Sequence, residues 1–222
     1  MLKEKEDLAI SSNMDIENVI DRFLPYLRKW FFTSLLFIPA WILVEKYWLT
    51  LGTNINFAHN YPLPFFYSPF HFVMDNVTLI LHEAGHTIFG VFNWRFLTIL
   101  GGTLMQLLIP FSLFISTWWK RQRYLSQAFL FWLGFGWLRA SAYCADAYYQ
   151  QLPLIGGLPK SAHDYTNMLS MLNILDKYMT VAWTMFGIGV SILLLSLIFP
   201  ILERKEYETI DLKKELKKSG FR

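Results

Sequence analysis

The sequence contains few charged residues and a single cysteine. Only 17% of its 222 residues are Asp, Glu, Lys or Arg, whereas an ordinary soluble domain has about 25%. Cys144 is the only cysteine, so the chain can form no internal disulfide and no cysteine-rich metal site. The net charge of +3 is too small to indicate a nucleic-acid partner. These absences exclude a disordered chain, a disulfide-rich secreted domain and a nucleic-acid-binding protein.

The charges that are present are unevenly distributed. Residues 96–119 and residues 178–202 contain no Asp, Glu, Lys or Arg, and each run is longer than the roughly 20 apolar residues that cross a bilayer. A soluble fold can hide one such helix, but it has little surface left for several. The composition therefore predicts an integral membrane protein that has the lipid bilayer as a partner.

Hydrophobic segments divide the chain into three parts. In the polar leader, residues 1–29, we expect no cleavable signal peptide. Apolar residues at helical spacing between Ile16 and Leu27 favour an amphipathic helix, either on the membrane surface or packed on the chain's own loops. A single transmembrane domain, residues 30–202, precedes a charged tail, residues 203–222. We predict an all-α, polytopic protein of about five transmembrane helices, at residues 30–48, 73–93, 96–119, 124–149 and 178–202.

The segment at residues 73–93 is the least hydrophobic of these spans, because it contains an aspartate, a glutamate and two histidines. The basic clusters of the chain also indicate that this segment does not fully cross the membrane. Basic clusters at residues 28–29 and 120–123 should both face the cytoplasm, yet three spans separate them. We therefore expect residues 73–93 to be held inside the protein at membrane depth.

Residues 82–86 read His82-Glu83-Ala84-Gly85-His86, an HExxH motif. On a helix the two histidines lie one turn apart on the same face, so both imidazoles can bind one Zn²⁺ ion at about 2.0–2.1 Å. Glu83 lies beside that face and can accept a proton from a water that the metal activates. Ionisable residues at membrane depth are costly and mark a functional site. The motif predicts a zinc centre, with a polar seam between helices as the structural alternative.

Catalytic zinc has three protein ligands, and the sequence offers three candidates for the third. His163-Asp164 follows a loop containing two glycines and begins an amphipathic segment that can carry a ligand to the metal, while Asp164 binds alongside or orients the imidazole. Asp146 is the main rival, and its structural alternative is an ion pair with Arg139. The predicted metal ligands are His82 and His86, completed by His163, Asp164 or Asp146.

The two other histidines, His59 and His71, lie in a segment rich in proline, asparagine and aromatic residues. This segment, residues 54–72, is too interrupted for a helix and too apolar for an ordinary solvated loop. We interpret it as an interfacial or re-entrant loop and both histidines as polar groups at the membrane interface.

At these residues the chain resembles the membrane-embedded zinc metalloproteases of the site-2 protease type. The matching features are the HExxH motif in a hydrophobic segment, followed by Gly101-Gly102 and then Pro110 in the next span. The resemblance covers residues 73 to about 115. It implies several transmembrane helices around a buried zinc ion, with Glu83 as the base in peptide hydrolysis. The third ligand of that family is an aspartate in a Leu-Asp-Gly sequence, which this chain lacks.

The later part of the chain, from Ala145-Asp146-Ala147 to His163-Asp164-Tyr165, looks more like a less characterised group of bacterial HExxH membrane proteins, from which no activity carries over. The expected location is accordingly the bacterial inner membrane. Two functions follow. The first is a zinc metallopeptidase-like hydrolase that cleaves a membrane-associated protein segment, with Glu83 as the catalytic base. The second is a non-catalytic metal-binding membrane scaffold or sensor.

Overall fold

The computed structural model describes residues 2–53, 55 and 61–202, with the side chains described throughout these ranges from residue 30 onward. In this part of the chain every regular element is a helix, so the all-α prediction is confirmed there. The long helices are α1 (Leu2–Gly52), α2 (Ser68–Gly90), α3 (Arg95–Trp119), α4 (Arg123–Ala145) and α6 (Tyr178–Leu202), with the short α5 (Asp164–Met171) between the last two. Single 3₁₀ turns occur at Ile155–Gly157, Lys160–Ala162 and Leu175–Lys177.

Three of the described helical segments are long and apolar enough to cross a membrane. They are Trp30–Gly52, Arg95–Trp119 and Leu175–Leu202, which match the predicted first, third and last spans. The predicted spans at residues 73–93 and 124–149 correspond to α2 and α4, which are helices of 23 residues each but carry more polar side chains. The count of about five spans and the amphipathic leader stay predictions, since most side chains before residue 30 lie outside the described residues.

The chain divides into two compact units, residues 1–36 with 200–222, and residues 37–199. All the site residues discussed below belong to the second unit. Within that unit α4 is surrounded by other elements: Leu130, Phe131 and Leu133, which point to different sides of the helix, expose only 7%, 1% and 6% of their surface. A helix that is buried on all sides needs apolar residues around its whole circumference, which explains the even distribution of hydrophobic residues in this span.

Helices α2 and α3 pack against each other through glycines. A Cβ atom at Gly85 would lie 2.7 Å from the carbonyl carbon of Gly101 and 2.8 Å from the Cβ of Met105. A Cβ atom at Gly101 would meet the Gly85 carbonyl oxygen at 2.8 Å. The backbones of the two helices are therefore in direct contact, and no larger residue fits at either position without separating them. Gly102, the neighbour of Gly101 in α3, faces the two histidines of the motif and is described below.

We expect Gly85→Ala to destabilise the protein by about 1–3 kcal/mol, the cost of overpacking a close-packed interior, because the atom it meets is rigid backbone. Gly187→Ala is the matched control, since a Cβ there has open space within 4 Å and alanine favours a helix over glycine by roughly 0.5–1 kcal/mol. Thermal unfolding of the two purified variants in detergent measures the difference. Equal unfolding temperatures would contradict the direct contact between α2 and α3.

Candidate metal centre

The HExxH motif lies in the second half of α2, where the helical spacing places His82 and His86 on one face. Pro69 occupies the first turn of this helix, a position at which proline is well tolerated because its missing N–H has no intrahelical partner. His82 exposes only 5% of its surface, and the rings of the two histidines are 4.9 Å apart. The motif therefore presents two neighbouring imidazoles on one face of the helix, that of His82 buried and that of His86 partly buried.

Asp164 reaches the two histidines from a distant part of the sequence. Its Oδ2 atom lies 2.9 Å from Nε2 of His82 and 3.2 Å from Nε2 of His86. Asp164 is the first residue of α5, and the preceding residue, His163, caps that helix by accepting a hydrogen bond from the backbone N–H of Thr166 at its Nδ1 atom. The ligand atoms of His82, His86 and Asp164 all lie within 4.8 Å of one another.

The distances and donor types of this cluster fit a zinc ion. Tetrahedral bonds of about 2.0–2.1 Å place neighbouring ligand atoms roughly 3.3 Å apart, close to the two distances from Asp164. His86 directs its Nδ1 atom at the carbonyl oxygen of Thr98, at 3.0 Å. Because a carbonyl only accepts, this nitrogen carries the proton and the Nε2 lone pair faces the cluster. Such an outer hydrogen bond is usual for metal-binding histidines.

Gly102 of α3 leaves the space in front of the histidines open. A Cβ atom at this position would lie 2.7 Å from Nε2 of His86 and 2.8 Å from Nε2 of His82. These are the nitrogen atoms that point at Asp164. The close contact between α2 and α3 therefore brings a residue without a side chain to a place where a side chain would block the cluster.

The electrostatics of Asp164 favour its ionised form. Burial by itself raises the pKa of this carboxyl group, but the neighbouring imidazoles of His82 and His86 outweigh burial and leave the pKa below its usual value. The ionised carboxylate is the form that binds metals. Asp164 is therefore ready to act as a ligand at neutral pH.

Asp146 and His163 face each other instead of the histidine pair. Both are completely buried, with 3.5 Å between Oδ2 of Asp146 and Nε2 of His163. The Asp146 carboxylate also accepts hydrogen bonds from the backbone N–H groups of Gln151, at 2.6 Å, and Leu152, at 2.9 Å. These contacts fix the loop that leads from α4 to α5, and so they position Asp164. Of the five predicted ligands, the structure brings together His82, His86 and Asp164 and leaves Asp146 and His163 outside the cluster.

Two sequence-based interpretations are wrong. The alternative partner of Asp146 was Arg139, but Nε of Arg139 donates to Oδ1 of Asp75 at 2.7 Å. His71 does not lie in a loop: it lies in the first turn of α2, exposes 7% of its surface and accepts a hydrogen bond from Nζ of Lys46 at 3.1 Å. Both differences from the prediction have one cause. A charged group that is buried among helices, here Arg139 or Lys46, bonds to the complementary group that packing brings beside it. His59 lies outside the described residues.

The cluster lies in a cavity of about 720 Å³. Glu83 and Tyr143 are part of its wall, and the loop between α4 and α5 covers it with aliphatic side chains. The Tyr143 hydroxyl accepts a hydrogen bond from the backbone N–H of Asp164 at 3.3 Å. Sequence reasoning missed Tyr143 and Thr98, because neither belongs to a motif. It also missed Lys46, although a lysine inside a hydrophobic run is a recognisable signal.

Comparison with protein-family models, with curated proteins and with solved structures finds no match for this chain. The candidate metal centre is therefore supported by the geometry of the cluster and by the HExxH motif.

We expect Asp164→Asn to weaken zinc binding at least as much as the roughly 10–100-fold loss that follows removal of an outer-shell partner, because an amide is a poor replacement for a charged ligand. Asp146→Asn should weaken zinc binding less than Asp164→Asn, since this carboxylate lies outside the cluster and acts only through the loop that positions Asp164. Asp176→Asn, on an exposed residue, is the matched control. Zinc content after dialysis against a graded chelator measures all three. Zinc loss in Asp146→Asn with retention in Asp164→Asn would reverse the assignment.

Proposed function

We propose that this protein is a zinc-dependent metallopeptidase that cleaves a membrane-associated protein segment. The observation that supports it best is that His82, His86 and Asp164 converge in one cavity with Glu83, which follows His82 directly in α2. Two histidines, one carboxylate and an adjacent glutamate are the donor set of hydrolytic zinc sites. The resemblance to metalloproteases of the site-2 protease type points to the same chemistry.

Glu83 acts as the general base in this proposal. Zinc bound by the three ligands supplies Lewis-acid activation of the water and of the peptide carbonyl. Glu83 accepts one proton from the attacking water while the oxygen of that water forms a bond to the carbonyl carbon. It then returns that proton to the amide nitrogen as the carbon–nitrogen bond breaks. One water is consumed, and one new carboxyl group and one new amine are released.

Tyr143 is suited to stabilise the negative charge that develops on the carbonyl oxygen. Its hydroxyl oxygen already accepts from the backbone of Asp164, so its own proton is left to donate into the cavity. Packing against the His163 ring, with 4.3 Å between centroids, holds the phenol in place. A donor held at a fixed position costs no reorganisation when the charge appears.

The setting of the site is a membrane in this proposal. Three described helices are long and apolar enough to cross a bilayer, and we propose a multi-pass protein of the bacterial inner membrane in which α2 and α4 complete about five spans. The cavity wall includes aliphatic side chains of the loop after α4, namely Leu152, Leu154, Ile155 and Leu158. Such a wall suits an extended, largely apolar peptide segment, and the surrounding helices limit the access of bulk water.

We expect Glu83→Gln to retain zinc and to lose cleavage by about 10²–10⁴-fold, the usual contribution of a general base, because an amide cannot accept the proton. The assay uses a set of labelled single-span peptides in proteoliposomes, with products identified by mass spectrometry. Zinc content is measured on the same preparations. Wild-type cleavage by the Glu83→Gln variant would contradict the proposal, and so would a wild-type protein that purifies without stoichiometric zinc. A non-catalytic metal-binding scaffold instead predicts zinc in both proteins and cleavage by neither.

Tyr143→Phe tests the oxyanion role separately. Loss of one such donor is expected to lower kcat by about 100-fold with little change in KM, since phenylalanine keeps the ring packing and removes only the hydroxyl. Tyr149→Phe, on a tyrosine that is 65% exposed, is the control for the same chemical change elsewhere. An unchanged kcat in Tyr143→Phe would assign the hydroxyl a purely structural role.

A further inference from the structure

A second group of ionisable side chains lies in the same cavity, away from the metal centre. Lys46 of α1, Asp75 of α2 and Arg139 of α4 all contribute to the cavity wall. The Arg139 guanidinium donates to Asp75 at 2.7 Å, and the Lys46 ammonium donates to His71 at 3.1 Å. Three helices therefore deliver charged groups to this one region, which we call the cationic pocket.

The cationic pocket has more positive than negative charge. Asp75 is the partner of Arg139 and supplies the one carboxylate of the group. Lys46 has only hydrogen-bond donors, so His71 accepts from it as a neutral imidazole and contributes no charge. No carboxylate lies within ion-pair distance of Lys46 in the part of the chain that the structure describes. A buried ammonium without a direct ion pair is costly, and Lys46 exposes only 6% of its surface.

The position of the cationic pocket along α2 sets its distance from the metal centre. Asp75, Leu79, His82 and His86 follow one another at helical spacing, and all four line the cavity. The cavity thus runs along one face of α2. At 1.5 Å per residue, Asp75 lies about 10 Å and His71 about 16 Å along the helix from His82. An extended peptide covers these distances with three to five residues.

We propose that Lys46 and Arg139 form an anion subsite that binds an acidic side chain of the peptide substrate, three to five residues from the bond that is cleaved. This inference rests on the proposed peptidase function. A carboxylate placed there gives Lys46 an ion-pair partner in direct contact and bonds to the Arg139 guanidinium, whose Nε is the atom that donates to Asp75. The substrate is then an apolar segment with one acidic residue at a fixed spacing from the cleavage site.

A peptide fits the arrangement better than a lipid headgroup. The cationic pocket and the metal centre share one continuous cavity, whose apolar lining includes Leu79 of α2 and the aliphatic loop after α4. A single extended chain can reach both ends of such a cavity, with apolar side chains between them. The anionic group is therefore assigned to the same molecule that reaches the metal.

The experiment measures binding of designed peptides to the full-length, zinc-loaded protein in detergent. Each probe is a leucine peptide that contains one Asp or one Asn. One end of the peptide carries either a hydroxamate, which chelates zinc, or a methyl ester, which does not, and the Asp or Asn lies one to five residues from that end. Two sets are made, with the end group on the carboxyl end of the peptide or, through a linker, on its amino end. The difference between Asp and Asn reports on the anion subsite, and the difference between hydroxamate and ester reports on the metal centre. The two parts of the proposal are thus read independently.

At spacings of three to five residues we expect the Asp hydroxamate to bind about tenfold more tightly than the Asn hydroxamate, the usual gain from a charge-assisted hydrogen bond. At a spacing of one residue the two should bind equally. Lys46→Met should abolish the preference for Asp, and Lys46→Gln, which keeps a donor for His71, should do the same. Lys177→Met is the matched control, because this exposed lysine lies outside the cavity. Preserved hydroxamate binding shows that each variant is folded.

Equal binding of the Asp and Asn probes at every spacing would overturn the subsite, whatever their absolute affinity. A preference for Asp that survives in Lys46→Met would do so too. The Asp and Asn probes could also bind equally while phosphatidylglycerol binds to the wild-type protein and not to Lys46→Met. The pocket would then bind a lipid headgroup, and the inference would be wrong. Equal binding of hydroxamates and esters would instead contradict the metal centre, and an Asp preference among the esters would then still support the anion subsite.

Discussion

Ionisable side chains that are buried among apolar helices must each find a partner, because the interior offers no water to solvate them. This constraint explains most of the contacts around the cavity. Asp164 bonds to the two histidines of the motif, Asp146 faces His163, and Asp75 takes the Arg139 guanidinium. The contacts of Asp164 and of Asp75 join elements that are far apart in the sequence, so the pairing of charges also constrains the arrangement of the helices.

The pairs differ in what they do for the cavity. The Asp146 and His163 pair is completely buried and holds the loop that begins α5. Its effect on the cluster is indirect, since it determines where the next residue, Asp164, is directed. The contact of Gly85 with Gly101 acts from the opposite side by bringing α3, and with it Gly102, against the histidines. A buried pair of ionisable groups therefore positions Asp164, and glycines in α2 and α3 leave the space beside the histidines open.

Some of these features could be predicted from the sequence and others could not. His82 and His86 are four residues apart, and the period of a helix alone places them on one face. Asp164 was one of three candidates, because the sequence shows that an acidic residue must approach but not which loop carries it. The partner predicted for Arg139 is wrong for the same reason. Asp146 follows Arg139 by seven residues, which favours the same side of one helix, but the structure pairs Arg139 with Asp75 of a neighbouring helix.

The sequence by itself determined that the chain is helical and rich in segments that suit a bilayer, and that His82, Glu83 and His86 form one group. These are properties of composition and of local periodicity, which act over a few residues. Only the tertiary structure decided that Asp164 joins the histidines, that Gly102 leaves room beside them and that Lys46 and Arg139 line the same cavity. These relations depend on how helices pack, and the energies that govern packing are summed over side chains that no local pattern connects.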